Sequence, residues 1–340
     1  MKSTDVFIIA EVGQAHDGSL GILHSYIDAV AKTGVDAIKF QTHIAEAESS
    51  EYEPFRVNFS YVDKTRYDYW KRMSFSYSQW VDIKAHCEDV GLEFISSPFS
   101  IEAVELLEKL GVNKYKFGSG EITNALMLDV VAQTGKEIIL SSGMSSYKEL
   151  DMAVNTILRH GNELSVLQCT TKYPTQFEDV GLNVLNEMKS RYNGVSIGLS
   201  DHSGSIFPSI AAASLGAKLI EAHVTFDRDI FGPDSTSSLT LGEFSQMVEG
   251  VRAVSKMLNN PIDKSISNGS SNLKTVFGKT LAIRGDLSAG HVICVGDLET
   301  KKPAGYGIAA AEYAQVIGRK TLKSMTKNDF LKAEDLSEND

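Results

Sequence analysis

Two histidines stand near the carboxyl ends of apolar runs that are typical of buried strands. His202 follows the run in GLSDHS (198–203), and His223 lies within LIEAHVTF (219–226). If these strands are neighbours in a parallel sheet, their ends lie side by side and the two imidazoles can share one divalent cation. Two protein ligands leave positions open for water and substrate oxygen, which favours Lewis-acid catalysis over a structural metal site. The alternative for each histidine is a hydrogen-bonded position in the core.

Two lysines occur inside predicted strands, where an ammonium group without a counter-charge is unfavourable. Lys39 lies in AIKFQT (37–42) and Lys116 in KYKFGSGE (114–121). Anionic groups of a ligand would supply the missing charge. Serines and glycine-rich turns in SSP, GSGE, LSSG and LSD could donate hydrogen bonds to a phosphate. The alternative is that each lysine pairs with a nearby carboxylate, for example Lys116 with Glu121.

The elements that would position these residues alternate regularly along the first 260 residues. Eight short apolar runs are strand candidates, each followed by a stretch with helical periodicity: 6–13, 37–42, 93–99, 114–120, 137–143, 165–171, 195–201 and 219–226. Most of these runs are continuously apolar, as in a parallel sheet covered by helices. Eight such units predict an α/β protein with a (β/α)8 TIM barrel, whose active site forms at the carboxyl ends of the strands.

Three other segments indicate how the chain is organised. Residues 43–77 are too many for an ordinary strand-to-helix loop, so we expect them to lie over the catalytic face. Residues 261–274 are rich in Pro, Ser, Asn and Gly and predict a linker. This assigns residues 1–260 to the barrel domain. Short β-like runs with turn residues then predict a small β-rich domain over 275–340.

Composition excludes some classes of partner. The net charge of −11 argues against general affinity for nucleic acid or for an anionic membrane. No stretch approaches the ~20 apolar residues of a membrane-spanning helix, and the early residues do not resemble a signal peptide. The three cysteines, Cys87, Cys169 and Cys294, are isolated, which predicts reduced thiols and a cytoplasmic location. Cys169 is interpreted as a packed strand residue rather than a nucleophile.

The strand ends, taken in order, resemble the motifs of the sialic acid synthase family. The similar segments are IIAEVGQAHDGS, IKFQTHI, FISSPFS, YKFGSGEITN, LSSGM, CTTKYPTQFEDVGL, GLSDHS and EAHVTFDRDIFGPD. The later segment TLAIRGDLSAGHVICVGDLETKKPAGYGI is similar to the family's antifreeze-like (SAF) domain. The resemblance implies a transferase that condenses phosphoenolpyruvate with an N-acetylated hexose, N-acetylmannosamine or a related 2-acetamido sugar. The products would be a nine-carbon 2-keto-3-deoxy sugar acid and phosphate.

The resemblance also implies a role for each matching residue. His202 and His223 would hold Mn²⁺, with Mg²⁺ or Co²⁺ as alternatives, and the ion would polarise the sugar aldehyde. The phosphoenolpyruvate site would comprise Lys39, Ser97, Lys116, Ser119, Ser141, Thr171 and Ser200. The acceptor sugar or a metal-bound water would contact Glu11, Gln41, Tyr173 and Asp234. As a separate hypothesis about the mechanism, proton transfer is assigned to Glu11 or Glu121, and the sequence does not choose between them.

Two positions depart from the family pattern. Lys302, in KKPAG, replaces an arginine that in the family's domain-swapped homodimer reaches the N-acetyl group of the sugar in the partner's barrel. Lysine lacks the planar fork of arginine and is not an equal replacement. Thr171 stands where asparagine is frequent. Two other functions stay open, a metal-dependent barrel aldolase that would release no phosphate and a catalytically inactive carbohydrate-binding homologue.

Overall fold

The computed structural model describes residues 6–57, 59–265 and 271–338. The chain divides into two compact units, Met1–Pro261 and Ile262–Asp340. Of the linker predicted at 261–274, residues 266–270 lie outside the described residues, as do residues 1–5 and 339–340 of the predicted domains. Among the helices that the described ranges contain, none is long and apolar enough to cross a membrane.

Eight parallel strands close the barrel of the first unit. They are β1 (Phe7–Glu11), β2 (Ala37–Thr42), β3 (Glu93–Pro98), β4 (Lys114–Phe117), β5 (Glu137–Ser141), β6 (Leu164–Cys169), β7 (Ser196–Asp201) and β8 (Leu219–Thr225). Each strand pairs in parallel with the next, and β1 pairs with β8 to complete the circle. A two-residue strand, β9 (Leu239–Thr240), adds to β8 in parallel. The predicted TIM barrel is confirmed.

Helices follow the strands and cover the barrel. They are α1 (Leu20–Ala31), α2 (Ala45–Glu48), α3 (Arg66–Met73), α4 (Tyr77–Asp89), α5 (Ile101–Leu110), α6 (Ala125–Ala132), α7 (Tyr147–Leu158), α8 (Leu182–Arg191), α9 (Phe207–Ser214) and α10 (Leu241–Leu258). Local sequence fixes their ends. Ser146 and Glu149 form a reciprocal capping box at the start of α7, and Gly111 ends α5 with a φ of 74°.

Two apolar cores stabilise the barrel. One lies between strands and helices, and the other fills the barrel interior with Phe7, Ile9, Ala37, Ile95, Ile139, Leu167 and Leu219. The segment 43–77 contributes α2, α3 and a separate small cluster of Ala45, Tyr69, Trp70 and Met73. The long segment therefore has its own packed structure rather than being an open loop.

The second unit has a short helix and a two-stranded antiparallel sheet. Helix α11 spans Ser271–Phe277, so part of the predicted linker is helical. Strands β10 (Thr280–Ile283) and β11 (Leu298–Lys301) pair with each other, and isolated bridges such as Leu287 with Met325 extend the β structure. A small apolar core, which includes Leu281 and Ile293, holds the unit together. The predicted small β-rich domain after the barrel is confirmed.

Candidate active site

Polar residues at the mouth of the barrel continue an alternation that begins in its apolar interior. Ile9 and Leu219 belong to the interior core. Because strand side chains alternate between faces, residues two or four positions further along point the same way. Glu11 and His223 occupy such positions. The register of the strands pairs Glu11 with Lys39 on one side and with His223 on the other.

Two lysines and two carboxylates form the bottom of a cavity at this mouth, here called the lysine floor (Glu11, Lys39, Lys116 and Glu221). Lys39 Nζ lies 2.8 Å from Glu11 Oε2, 3.9 Å from Glu221 Oε2 and 3.3 Å from Ser97 Oγ. Lys116 Nζ lies 3.3 Å from Glu221 Oε1. All four floor side chains are buried. The counter-charge of Lys116 is therefore Glu221, from another strand, rather than Glu121.

Burial acts on both lysines but with different outcomes. For Lys39, the carboxylates of Glu11 and Glu221 outweigh burial and raise the pKa of the ammonium group. For Lys116, burial dominates and lowers the pKa, because Glu221 is its main counter-charge and the Lys39 cation lies nearby. Despite burial, the two lysines lower the pKa of Glu221 to about 2. Lys116 is thus the floor residue that gains most from an incoming anion.

Hydroxyl groups surround the floor. Lys116 Nζ donates to Ser141 Oγ at 2.6 Å, and Ser200 Oγ donates to Glu221 Oε1 at 3.0 Å. Thr171 Oγ1 is buried and has no hydrogen-bond partner within the described ranges. An unmade hydrogen bond of this kind costs free energy that a bound ligand atom could recover.

A glycine keeps space open beside these hydroxyls. A Cβ at Gly143 would collide with Thr171 Oγ1 and with Ser119 Oγ. Because glycine has no side chain, the backbone approaches both hydroxyls closely and leaves a small polar cradle. The cradle and the unsatisfied Thr171 hydroxyl fit an oxyanion such as phosphate.

The two histidines lie side by side at the rim of the floor. The ring centroids of His202 and His223 are 5.2 Å apart. His202 Nδ1 lies 3.1 Å from the Thr170 carbonyl oxygen, so Nδ1 donates and leaves Nε2, 3.3 Å from the Tyr173 hydroxyl, as the free acceptor. In the described part of the chain His223 has ring contacts with His202 and Tyr173 but no hydrogen-bond partner.

This pair fits a divalent ion that keeps positions open for other ligands. Over residues 6–57, 59–265 and 271–338, no group of three or more His, Cys, Asp or Glu is arranged to hold a metal. Burial lowers the pKa of His223, which favours the neutral, coordinating imidazole. Burial acts likewise on His202, but Cys169 Sγ, 3.9 Å from its Nδ1, raises the pKa of His202 to about 9. A cation on Nε2 would therefore compete with a proton.

The segment between β2 and α4 supplies the other side of the cavity, here called the outer wall (Glu48, Glu53, Arg56, Arg66 and Trp70). The Arg56 guanidinium forms an ion pair with Asp234 and lies 4.0 Å from the centre of the Tyr173 ring. Arg56 therefore joins the wall to two of the four residues expected to meet the acceptor sugar.

Two further polar groups line the cavity between floor and wall. Gln41 Nε2 donates to Glu11 Oε1 at 2.7 Å. Burial raises the pKa of Glu121, although Asn124 Nδ2 donates to its carboxylate at 2.8 Å. A raised pKa favours the protonated carboxyl group, which can donate a proton.

The cavity has a volume of about 370 Å³, within the range of small-molecule sites. It brings together all the predicted site residues except Lys302: Glu11, Lys39, Gln41, Ser97, Lys116, Ser119, Glu121, Ser141, Thr171, Tyr173, Ser200, His202, His223 and Asp234. Lys302 belongs to the second unit, where its Nζ lies 5.0 Å from the centre of the Phe277 ring. Cys169 also lines the cavity, as a buried side chain.

The sequence assigned no role to several residues of the cavity. Glu221 lies two positions before His223 on β8, and strand alternation could have placed both on one face. His43 and the outer wall follow no helical or strand pattern that indicates a site. The length of the segment 43–77 predicts that it lies over the catalytic face, and its side chains do line the cavity, but which of them do so becomes evident only in the folded chain.

Comparisons with known proteins agree with this geometry. The chain matches the NeuB family over residues 26–263 and the SAF domain over residues 278–337. It is 31% identical over 338 residues to N,N'-diacetyllegionaminic acid synthase from Campylobacter jejuni, a match that spans 98% of this chain and 100% of that protein. It is also 31% identical to N-acetylneuraminate-9-phosphate synthase from Homo sapiens, across 96% of this chain and 92% of the human protein.

A solved structure supports the same assignment. N-acetylneuraminic acid (sialic acid) synthetase from Leptospira borgpetersenii, crystallised with citrate, superposes with a TM-score of 0.70 at 29% identity. The superposition covers 80% of this chain and 90% of that one. The chain therefore belongs to the NeuB family, the family of sialic acid and related nonulosonic acid synthases, and it carries an SAF domain after the barrel.

Proposed function

We propose that this protein condenses phosphoenolpyruvate with an N-acetylated hexose to give a nine-carbon 2-keto-3-deoxy sugar acid and inorganic phosphate. N-acetylmannosamine or a related 2-acetamido sugar would be the acceptor. The observation that carries the proposal is the meeting of two buried lysines with an open hydroxyl cradle, beside two adjacent imidazoles. The names of the bacterial and human relatives compared above, both synthases of sugar acids, support the same reaction class.

The lysine floor would bind phosphoenolpyruvate by the carboxylate and the phosphate group of that substrate. Lys39, Ser97 and Lys116 would bind the carboxylate, and Lys116 would also approach the phosphate. Ser119, Ser141, Thr171 and Ser200 would bind the phosphate oxygens, which gives the unsatisfied Thr171 hydroxyl an acceptor. Thr171 can donate to phosphate as well as an asparagine can, so this departure leaves the reaction class unchanged.

The acceptor sugar would lie between the floor and the outer wall, in contact with Glu11, Gln41, Tyr173 and Asp234. His202 and His223 fit a divalent ion, with Mn²⁺, Mg²⁺ and Co²⁺ as candidates, and such an ion would supply polarisation of the aldehyde carbonyl. The remaining ligand positions would belong to water and substrate oxygens. The affinity for the ion should decrease as pH falls, because a proton competes with the ion for His202 Nε2.

The bond changes balance with water as the one reactant besides the two substrates. Carbon 3 of phosphoenolpyruvate forms a bond to the aldehyde carbon, whose oxygen takes up a proton. Water adds to carbon 2 and loses a proton, which leaves a hydroxyl group there. That hydroxyl group loses its own proton to become the keto oxygen of the product as the C–O bond to phosphate breaks, and phosphate leaves with the bridging oxygen and takes up a proton. Glu121, whose pKa burial raises, is suited to donate the proton, and Glu11, held by Lys39, is suited to accept one.

Phosphate release distinguishes this function from a barrel aldolase or an inactive homologue. The purified full chain, freed of metal and reloaded with Mn²⁺, Mg²⁺ or Co²⁺, should release phosphate from phosphoenolpyruvate only when an acceptor sugar is present. The acceptors to compare are N-acetylmannosamine, its 6-phosphate and 2,4-diacetamido-6-deoxy hexoses. Phosphoenolpyruvate with ¹⁸O in the bridging position should give ¹⁸O-labelled phosphate, because the C–O bond breaks. Absence of phosphate release with every acceptor would contradict the proposal.

The metal assignment has a separate test. His202→Ala should abolish Mn²⁺ binding, measured by electron paramagnetic resonance, together with synthesis. His160→Ala is the matched control, because His160 pairs with Asp129 on the helical surface. Full activity in His202→Ala would remove the assignment. The homodimer, the cytoplasmic location and the contact of Lys302 with the sugar's N-acetyl group stay predictions.

A further inference from the structure

A buried imidazole–carboxylate pair lines the cavity, and the proposed steps leave it without a role. His43 follows β2 and Glu48 ends α2. The His43 side chain is 3% exposed, that of Glu48 is 6% exposed, and His43 Nδ1 lies 2.6 Å from Glu48 Oε1. The imidazole stacks between the rings of Trp70 and Phe99, with distances between ring centroids of 3.7 Å and 4.4 Å. The two aromatic rings fix the plane of the imidazole, and the carboxylate fixes its rotation within that plane.

The pair leads by hydrogen bonds to the residues expected to meet the sugar. An ionised Glu48 only accepts, so Nδ1 of His43 carries the proton. His43 Nε2 is then an acceptor, and the Gln14 amide nitrogen donates to it at 3.2 Å. The same Gln14 nitrogen donates to Gln41 Oε1. The other end of the Gln41 amide donates to Glu11 Oε1 at 2.7 Å. Gln41 is therefore held in one orientation, with its oxygen toward the Gln14 amide nitrogen that His43 fixes and its own nitrogen toward Glu11.

Packing alone does not account for the pair. Glu48 Oε2 is buried and has no hydrogen-bond partner in the described part of the chain. Burial of a carboxylate with an unmade hydrogen bond costs free energy. An apolar ring at position 43 together with an apolar side chain at position 48 would fill the same space without that cost. The pair is better explained by the side chains that it orients.

We propose that the His43–Glu48 pair positions the acceptor sugar by fixing the Gln41 amide and, through it, Glu11. The inference rests on the proposed function, in which Gln41 and Glu11 meet the sugar or a neighbouring water. His43 is a positioning residue in this arrangement, since it acts through Gln14 and Gln41. Loss of the pair should therefore lower kcat/KM for the sugar and leave the affinity for phosphoenolpyruvate unchanged.

The sharpest test is His43→Phe, which keeps an aromatic ring between Trp70 and Phe99 but removes both hydrogen bonds. We expect kcat/KM for the sugar to fall by about 10- to 100-fold. Losses of this size are typical when the hydrogen-bond partner that orients a metal-binding residue is removed. The KM for phosphoenolpyruvate should not change. Glu48→Gln, whose amide oxygen can still accept from Nδ1, should show a smaller loss in the same direction. His86→Phe is the matched control, because His86 lies on α4 and pairs with Asp28.

Each outcome decides a different point. A selective loss for the sugar, graded from His43→Phe to Glu48→Gln, supports the inference. If the wild type is active and His43→Phe has the same kcat/KM for the sugar, the inference is overturned. It is also overturned if His43→Phe loses kcat/KM equally for both substrates and has a lowered melting temperature. If His43→Phe fails to fold, Glu48→Gln decides by the same criterion. A wild type that releases no phosphate with any acceptor overturns the proposed function itself.

Discussion

The lysine floor and the outer wall face the same cavity but are built in different ways. The floor residues lie on four strands of the barrel, and their neighbours are set by strand register. Its side chains, such as Lys39 and Glu221, are at most 5% exposed. The wall comes from one segment between β2 and α4, and the exposed fraction of the Arg56 side chain is 38%.

This difference separates two kinds of chemical task. Buried charges on the barrel strands cannot move without disturbing the barrel. They are therefore suited to bind and stabilise the charged groups of the reacting substrate. The partly exposed wall side chains, such as Arg56 and Glu53, stand on a segment with its own small core and can change while the barrel keeps its packing. Substitutions in the floor should therefore impair the reaction with any acceptor, and substitutions in the wall should alter the use of the sugar.

The largest effect that would test this comparison is expected for Lys116→Met. The loss of the ammonium group removes a donor to phosphate, and kcat/KM for phosphoenolpyruvate should fall by about 100- to 1,000-fold. Burial lowers the pKa of Lys116, so wild-type affinity for phosphoenolpyruvate should decrease as pH rises and the ammonium group loses its proton. Steady-state kinetics across a pH series would measure both.

Lys114→Met provides a matched control from the same strand. Lys114 lies two residues earlier, where its Nζ pairs with Glu93 at 3.2 Å and Glu137 at 3.0 Å. Its loss should lower the melting temperature but leave the KM for phosphoenolpyruvate unchanged. If both variants lose phosphoenolpyruvate binding equally, the floor has no special role and the comparison fails.

The same contrast explains how much of the site the sequence predicts. Apolar runs that alternate along the chain with stretches of helical periodicity predict the strands. The ends of those strands then indicate Lys39, Lys116 and His223. Glu221 occupies the same face of β8, but its role depends on which lysines lie opposite, and that requires the strand register. Arg56 contacts Asp234, 178 residues away in the chain, and no local pattern in the segment 43–77 indicates such a contact.

An intermediate effect is expected for Arg56→Ala in the outer wall. Arg56 holds Asp234 by an ion pair and lies over the Tyr173 ring, so its loss frees two residues that would contact the sugar. The KM for the sugar should rise about tenfold, which corresponds to about 1.4 kcal/mol, and the KM for phosphoenolpyruvate should stay unchanged. Arg159→Ala, which removes a surface partner of Asp129, is the control. An equal rise in both KM values would mean that wall and floor are not separable.

The smallest expected effect concerns the stability of the segment that carries the wall. Asp63 accepts hydrogen bonds from Arg72 Nε at 2.9 Å and Nη2 at 2.6 Å, and Arg72 Nη1 donates to Asp17 Oδ1 at 2.6 Å. These contacts tie the segment to the β1–α1 loop. The Arg72 guanidinium lowers the pKa of Asp63 below its usual value. The carboxylate therefore contributes stability that is complete above its unfolded pKa of about 4 and is lost as pH falls through the folded pKa.

Asp63→Asn should accordingly destabilise the segment at neutral pH by about 1–3 kcal/mol, the usual cost of losing hydrogen bonds to a charged group. Hydrogen exchange of residues 59–73 should become faster at pH 7, and the difference from wild type should shrink in acid, where wild-type Asp63 is itself protonated. Asp151→Asn, which breaks a surface pair with Arg191, should leave this segment unchanged. Because the strands do not depend on Asp63, exchange in β2 and β4 should also stay slow. Faster exchange in those strands would show that floor and wall unfold together, against the separation argued from their construction.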